Sequence, residues 1–263
     1  MTTHATPPAV LLDRLSDHVL KVTLNRPAAR NAVNGDVAAG LQAAVDLAEA
    51  DDDIWVVILT GAGGDAFCAG ADLKAVSEGR GSALATERGG FAGFVHAPRT
   101  KPWIAAVNGP ALAGGCEIVL ACDLVVAVPT ARFGLPEVKR GLVASAGGLY
   151  RLPRALPSAV AREMILTGEP ITAERAHQLG MVNILAAADQ LMAEAQALAA
   201  RITANAPVAV RASLGVARRA MDLSDTELRT LSGQAQAQVM ASDDFKEGPR
   251  AFIEKRAPRW TGR

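Results

Sequence analysis

An excess of charge of either sign is missing from this 263-residue chain: Lys plus Arg and Asp plus Glu total 27 each. No global field draws it to nucleic acid or to an anionic membrane, so an anionic ligand has to be held by local groups. Aromatic residues are also scarce, at 4%, while half the residues are hydrophobic. The core is therefore built from Ala, Val, Leu and Ile. Cysteine is too sparse for a disulfide framework: Cys68, Cys116 and Cys122 are an odd set, with no ligand-like spacing to the four histidines. That usage fits a reduced, cytoplasmic compartment and argues against a metal site. Long apolar runs are absent as well. The longest, Ile118 to Val128, is broken by Asp123, and Met1 to Val10 lacks a basic start followed by an apolar stretch. No signal peptide and no membrane span are expected.

What is present is an alternation of strands and helices. Val19 to Leu24 reads as a strand closed by the turn-forming Asn25, Arg26 and Pro27. From about Asn34 to Ala50, apolar residues at Val37, Leu41, Ala44, Val45 and Ala48 follow a helical period, ended by the acidic Asp51 to Asp53. Ile54 to Leu59 is a β-branched run suited to a sheet covered on both faces. Trp103 to Val107 predicts another strand, Ala113 to Ala121 a helix, and Leu124 to Val128 a further strand. This order implies a layered α/β fold with parallel pairing. Val76 to Gly93 is rich in Gly, Ser and Arg and reads as a mobile loop or weak helix. Beyond Pro157 helical stretches dominate, near Ser158 to Leu166, Thr172 to Leu179, Gln190 to Ala204, Val208 to Ala220 and Asp225 to Met240. A core over residues 1–195 with a helical appendage over 196–263 follows from that shift.

The segment Gly61 to Ala66 has the spacing of a dinucleotide-binding glycine loop after a strand. The rest of that motif is missing. It needs a helix directly after the loop and an acidic residue about 20 positions later, and Phe67 to Asp72 supplies more loop instead.

Three other segments carry chemistry together. Phe67 to Lys74 is a small-residue loop whose bare N–H groups can approach a ligand closely. Asn108 to Glu117 is a second such loop that opens a helix, where the first N–H groups lack intrahelical partners. Two such donors make an oxyanion hole, worth about 3–4 kcal/mol each when a thioester oxygen gains enolate character. Glu117 stands in a helix otherwise made of apolar and small residues, with no Lys or Arg at i±3 or i±4, so burial should raise its pKa toward neutrality. Glu137 follows the turn Phe133-Gly134-Leu135-Pro136, which can point a carboxylate inward. For an isolated Glu a solvated or helix-capping role is the commoner one, but the apolar neighbours of Glu117 leave it no solvent face. Gly70, Gly114 and Gly115 read either as tight-turn glycines or as places of close backbone approach.

These segments, with Leu24 to Pro27, Arg30-Asn31-Ala32, Ala69 to Leu73, Gly147-Gly148 and the terminal Lys246-Glu247-Gly248, Phe252 and Glu254-Lys255-Arg256, resemble the crotonase (enoyl-CoA hydratase/isomerase) superfamily over nearly the whole chain. The resemblance implies a spiral of repeated ββα units and a C-terminal helical trimerisation region, with trimers often stacked as hexamers. It implies backbone N–H groups of Ala71 and Gly114 as the oxyanion hole, the Ala69, Gly70, Ala71, Asp72, Leu73 loop at the adenine end of CoA, and Arg30 near the CoA phosphates. The spacing of Glu117 and Glu137 matches the hydratases of the superfamily. By that analogy Glu117 deprotonates water while Glu137 exchanges the α-proton, so that water adds across the 2,3 double bond of an acyl-CoA. Coenzyme A then arrives as part of the substrate, with no permanently bound cofactor and no nucleic-acid or membrane partner.

One stretch departs from the common pattern: Ala144-Ser145 precedes Ala146-Gly147-Gly148 where many members have Pro-Gly. Gly147 to Pro153 is similar to the carnitinyl-CoA dehydratase branch. Other readings are a double-bond isomerase, which needs a single proton shuttle, and a CoA- or RNA-binding homologue. The RNA-binding relatives use a lysine-rich helix, which this chain lacks.

Overall fold

The structure is a computed structural model that describes residues 7–263; most of the expectation drawn from Met1 to Val10 lies outside them. In chain order the elements are β1 (Val10–Ser16), β2 (Val19–Leu24), α1 (Gly35–Ala50), β3 (Val56–Gly61), α2 (Leu73–Ser77), β4 (Ala85–Thr86), β5 (Gly90–Phe91), β6 (Trp103–Val107), β7 (Ala111–Leu112) and α3 (Gly114–Leu120). There follow β8 (Leu124–Ala127), β9 (Arg132–Gly134), α4 (Gly148–Ala155), α5 (Ser158–Thr167), β10 (Ile171–Thr172), α6 (Ala173–Gln178), β11 (Ile184–Leu185), α7 (Leu191–Thr203), α8 (Pro207–Ala217), α9 (Asp225–Met240) and α10 (Asp243–Glu254).

Every residue of β3 and β6 is buried, which is what a continuous Val/Ile/Leu/Ala run achieves in a sheet covered on both faces. They form the centre of a six-stranded sheet ordered β1-β2-β3-β6-β8-β11. All its pairings are parallel except the β1/β2 hairpin at the edge. Helix α1 lies against β1 and β2, and α7 against β3, β6 and β8. A second, three-stranded sheet, β10-β9-β7, stands beside the start of α3. The parallel, helix-connected core agrees with the α/β reading.

Three differences from the sequence expectations have physical causes. The strand β1 was invisible to periodicity because it is an edge strand with mostly exposed side chains. Val76 to Gly93, expected as a mobile loop or weak helix, contains a 3₁₀ turn at Gly81–Leu84 followed by the β4/β5 hairpin. There the Thr86 hydroxyl donates to Gln42 Oε1 of α1 at 2.9 Å. Helices α4 and α10 contain Pro153 and Pro249 respectively, and an internal proline ordinarily breaks a helical pattern, so neither helix was expected. The glycine loop after β3 agrees with the sequence reading, leading through residues 62–72 to the short α2, so no helix opens directly on it.

Helix α1 starts at Asn34, whose Oδ1 accepts from Val37 N–H at 3.1 Å, and ends on a buried cation. Lys101, 1% exposed, donates its Nζ to the carbonyls of Ala48 and Asp51 at 2.5 and 2.6 Å. It satisfies orphan carbonyls at the negative end of the helix dipole. The C-terminal helices are fastened to the sheet by Arg218, just after α8. Its Nε and Nη2 donate to Asp123 Oδ1 and Oδ2, both at 2.7 Å, and it also reaches the carbonyls of Arg99 and Lys101. Beyond α10, Trp260 donates its indole N–H to the Ala204 carbonyl at 2.8 Å, folding the tail back on the end of α7.

Because the Arg218 and Asp123 side chains keep only 28% and 11% of their exposure, breaking the pair strands a carboxylate in a partly desolvated place. Arg218→Ala should lower stability by about 1–2 kcal/mol after allowance for solvent screening. A urea titration should show a lower midpoint at unchanged slope. Arg218→Lys should recover only part of the loss, since an ammonium cannot make the two-point contact.

Candidate active site

Two backbone loops meet here because neither carries side chains at the point of approach. Gly70 has φ +90°, and a Cβ built on it would lie 2.9 Å from the Ala113 Cβ and 3.1 Å from the Gly114 nitrogen. A Cβ on Gly114 would collide with the Phe91 ring, and one on Gly115 with the Cys68 carbonyl. The alternatives of turn use and close approach thus resolve to close approach for Gly114 and Gly115, and to both for Gly70.

The first loop is clamped on its two sides. Val33 N–H donates to the Gly70 carbonyl at 2.8 Å and Asp72 N–H to the Val33 carbonyl at 2.9 Å, while Leu112 N–H donates to the Cys68 carbonyl at 3.1 Å. The second loop turns through Ala113, at φ 52° and ψ −130°, a conformation rarely occupied by a residue with a Cβ. It is held there by its N–H donating to the Gly134 carbonyl at 2.9 Å. Such strain costs on the order of 1–3 kcal/mol and concentrates at functional sites. Among the described residues, neither the Ala71 nor the Gly114 N–H has a protein acceptor. Gly114 is the first residue of α3, so its N–H also sits at the positive end of a helix, though a short one.

Glu117 lies one turn into α3 and is 3% exposed. Its Oε1 accepts from the N–H of Gly148, the first residue of α4, at 2.9 Å. Burial pushes its pKa up to about 7, and the Glu137 carboxylate acts in the same direction; the Gly148 and Ala146 N–H groups and the Arg151 guanidinium oppose the rise. Glu137 belongs to the 3₁₀ turn Pro136–Arg140. Burial raises its pKa too, and its Oε2 is buried without a hydrogen-bond partner. Both glutamates line one cavity of about 670 Å³, whose wall includes Ala71 and Gly114. Two carboxylates with raised pKa values, Glu117 at about 7, facing one space beside two free main-chain donors, can move protons next to a developing oxyanion.

The other expected residues divide. Ala69 and Leu73 line the same cavity. Gly70 shapes it from behind. Asp72 is structural, because its Oδ1 accepts from the N–H groups of Lys74 and Ala75 as the N-cap of α2 and its Oδ2 pairs with Arg26 at 2.9 Å. Arg30 joins the site through its backbone, its carbonyl accepting from Ala69 N–H at 3.0 Å, while its exposed side chain stays outside the cavity wall. Ser145 and Ala146, from the stretch that departs from the common pattern, do line the cavity.

Sequence reasoning missed Phe91, His96 and the Gly148 donor to Glu117. The glycine pair 147–148 was visible as a motif, but which N–H turns toward Glu117 depends on the left-handed Gly147, at φ 114°. Nothing in the Gly-rich run before Trp103 signalled a hairpin over the cavity.

The chain matches the family model described as enoyl-CoA hydratase/isomerase over residues 14–263. It is 40% identical to a carnitinyl-CoA dehydratase of Salmonella arizonae, over 93% of this chain and 95% of that one. It is equally 40% identical to an enoyl-CoA hydratase of Mycobacterium tuberculosis, over 100% of both. Among solved structures it is similar to an enoyl-CoA hydratase from Mycobacterium tuberculosis, with TM-score 0.93 and 48% identity, covering 97% of this chain and 100% of that one.

A raised carboxylate pKa has a cost in stability. Between the ordinary 4.5 of Glu117 and its folded value of about 7, the folded chain binds more protons than the unfolded chain, so stability falls as pH rises through this window. Glu117→Gln keeps an oxygen for Gly148 N–H and removes the penalty. It should melt higher than the unsubstituted protein at pH 8, by the equivalent of about 2–3 kcal/mol, with the advantage gone near pH 4.5. Differential scanning calorimetry across that range measures it; a variant less stable at pH 8 contradicts the buried-charge account.

Proposed function

Because this chain belongs to the enoyl-CoA hydratase/isomerase family, we propose that Glu117 and Glu137 add water reversibly across the 2,3 double bond of an acyl-CoA whose thioester oxygen is held by the N–H groups of Ala71 and Gly114. The activity class is that of its relatives: the chain is a hydro-lyase of the enoyl-CoA hydratase type. The observation that carries the assignment of residues is the single cavity shared by both carboxylates and both loops.

In the hydration direction, Glu117 takes a proton from water as the oxygen attacks C3. The electron pair moves through the conjugated system onto the thioester oxygen, where two main-chain donors stabilise it. Glu137 then delivers a proton to C2. The two-acid arrangement needs one carboxylate ionised and its partner protonated, and burial favours the protonated form of both, bringing Glu117 to about 7. Dehydration of a 3-hydroxyacyl-CoA is the same path reversed, which accommodates the similarity to a carnitinyl-CoA dehydratase. An isomerase would need only one of the two acids.

Coenzyme A enters as part of the substrate and no resident cofactor is required. We assign the adenine end to the Ala69 to Leu73 loop and the phosphates to the exposed Arg30 beside it. The C-terminal region 196–263 serves assembly in this reading, as a homotrimer or a dimer of trimers. It is supported by the large apolar side chains that α10 leaves bare, Phe252 at 85% and Ile253 at 78% exposure. Among the described residues no helix is long and apolar enough to cross a membrane, and the cytoplasmic assignment rests on cysteine usage.

The test is hydration of crotonyl-CoA, followed by loss of the conjugated enoyl absorbance. Glu117→Gln and Glu137→Gln should each lower kcat about 10²- to 10⁴-fold, the usual worth of a positioned acid or base. Near-normal turnover in either variant rules out its assigned role, and turnover retained only without Glu117 points to isomerisation.

A further inference from the structure

The catalytic cavity has a neighbour of about 500 Å³, and His96 lines both. On the side of the second cavity, Tyr150 places its hydroxyl 3.1 Å from His96 Nε2. Tyr150 is two residues beyond Gly148, the donor to Glu117, so one helix start carries both the partner of the catalytic acid and the partner of His96. Next to it, Arg151 ties the two sides of the partition together: its Nη1 donates to the Ala146 carbonyl at 3.2 Å and its Nη2 to the Val95 carbonyl at 2.6 Å.

The second cavity carries an excess of positive charge. Arg154 is paired with Asp222 and Arg218 with Asp123, but Arg99 and Arg151 have no carboxylate partner among the described residues. Burial and the nearby Arg151 hold the His96 pKa below its ordinary value, so the imidazole is neutral at physiological pH, with one nitrogen available as a donor. His96 Nδ1 has no hydrogen-bond partner among the described residues. Most of the catalytic cavity is faced by small and apolar groups such as Leu84, Phe91, Leu112 and Val143. A plain hydrocarbon tail is well served by those groups but gains nothing from the exposed His96, whose free ring nitrogen an anionic tail can engage.

Resting on the hydratase reading above, we propose that His96 forms a specificity-determining end of the catalytic cavity that recognises a carboxylate at the far end of the acyl chain, with Tyr150 and Arg151 as positioning residues behind it. The substrate class is then a 2-enoyl-CoA derived from a dicarboxylic acid. Its terminal carboxylate accepts from the imidazole Nδ1–H, the tautomer that the Tyr150 hydroxyl fixes by donating to Nε2, in the field of guanidinium groups of the adjoining cavity that lack an acid of their own. No bond forms or breaks at this wall; it sets which acyl groups seat well.

The experiment uses pairs of 2-enoyl-CoA thioesters of graded chain length, one member ending in a methyl group and the other in a carboxylate. For the unsubstituted protein, kcat/KM at the best-fitting length should favour the carboxylate-ended member by about tenfold or more. Tyr150→Phe and His96→Leu should each erase that ratio, through KM, and His96→Gln should restore part of it. A merely structural role for the pair would lower both members alike and leave the ratio standing. That result, or a preference for the methyl-ended member at every length, overturns the proposal. Absence of turnover with all thioesters would instead overturn the hydratase reading; calorimetric Kd values for the saturated counterparts then decide the end wall, equal affinities refuting it and a carboxylate preference lost in Tyr150→Phe upholding it.

Discussion

Keeping a carboxylate out of water is the constraint on which this molecule turns. Glu117 is 3% exposed, it has a second acid for company, and Gly148 gives its Oε1 a single main-chain donor. An isolated buried carboxylate costs several kcal/mol and relieves itself by taking up a proton. The fold therefore has to be stable enough elsewhere to carry a pair of such groups. The fully buried β3 and β6 at the sheet centre, the Lys101 cap on α1 and the two-point Arg218–Asp123 contact are the places where that stability resides.

The same constraint explains the choice of small residues around it. Two main chains can bring their N–H groups to one point only if nothing projects between them, and Gly70, Gly114 and Gly115 leave that space. Ala113 shows the limit of the arrangement, since it keeps a Cβ in a backbone conformation that suits glycine better, held by the Gly134 carbonyl and by the bonds its own carbonyl accepts from Cys116 and Glu117. Phe91 then closes over Gly114, its ring occupying the space a side chain there would need.

How much of this was legible in the sequence depended on whether a signal was local. The central strands and α1 announce themselves by β-branched runs and a helical period, and Glu117 by its lack of polar neighbours. The shared cavity of Glu117 and Glu137 was reachable through motif order and the resemblance it supports. By contrast β1 runs Val-Leu-Leu into Asp13 and Arg14 without alternating, and α10 carries Gly248 and Pro249, so neither shows the pattern its class predicts. The partition of His96 and Tyr150 joins residues 54 positions apart, a pairing set by the packing of α4 and by nothing near either residue in the chain.

Asp72 has a role that its place in a ligand-facing loop does not suggest. With one oxygen on the N–H groups of Lys74 and Ala75 and the other on Arg26, it commits its charge to locking the loop that carries Ala71. An arriving ligand consequently meets amides that are already aimed, and little conformational entropy remains to be surrendered on association. In the function proposed for this loop, affinity at that end is thereby decoupled from changes of side chain, because the contacts fall to peptide groups that every residue possesses.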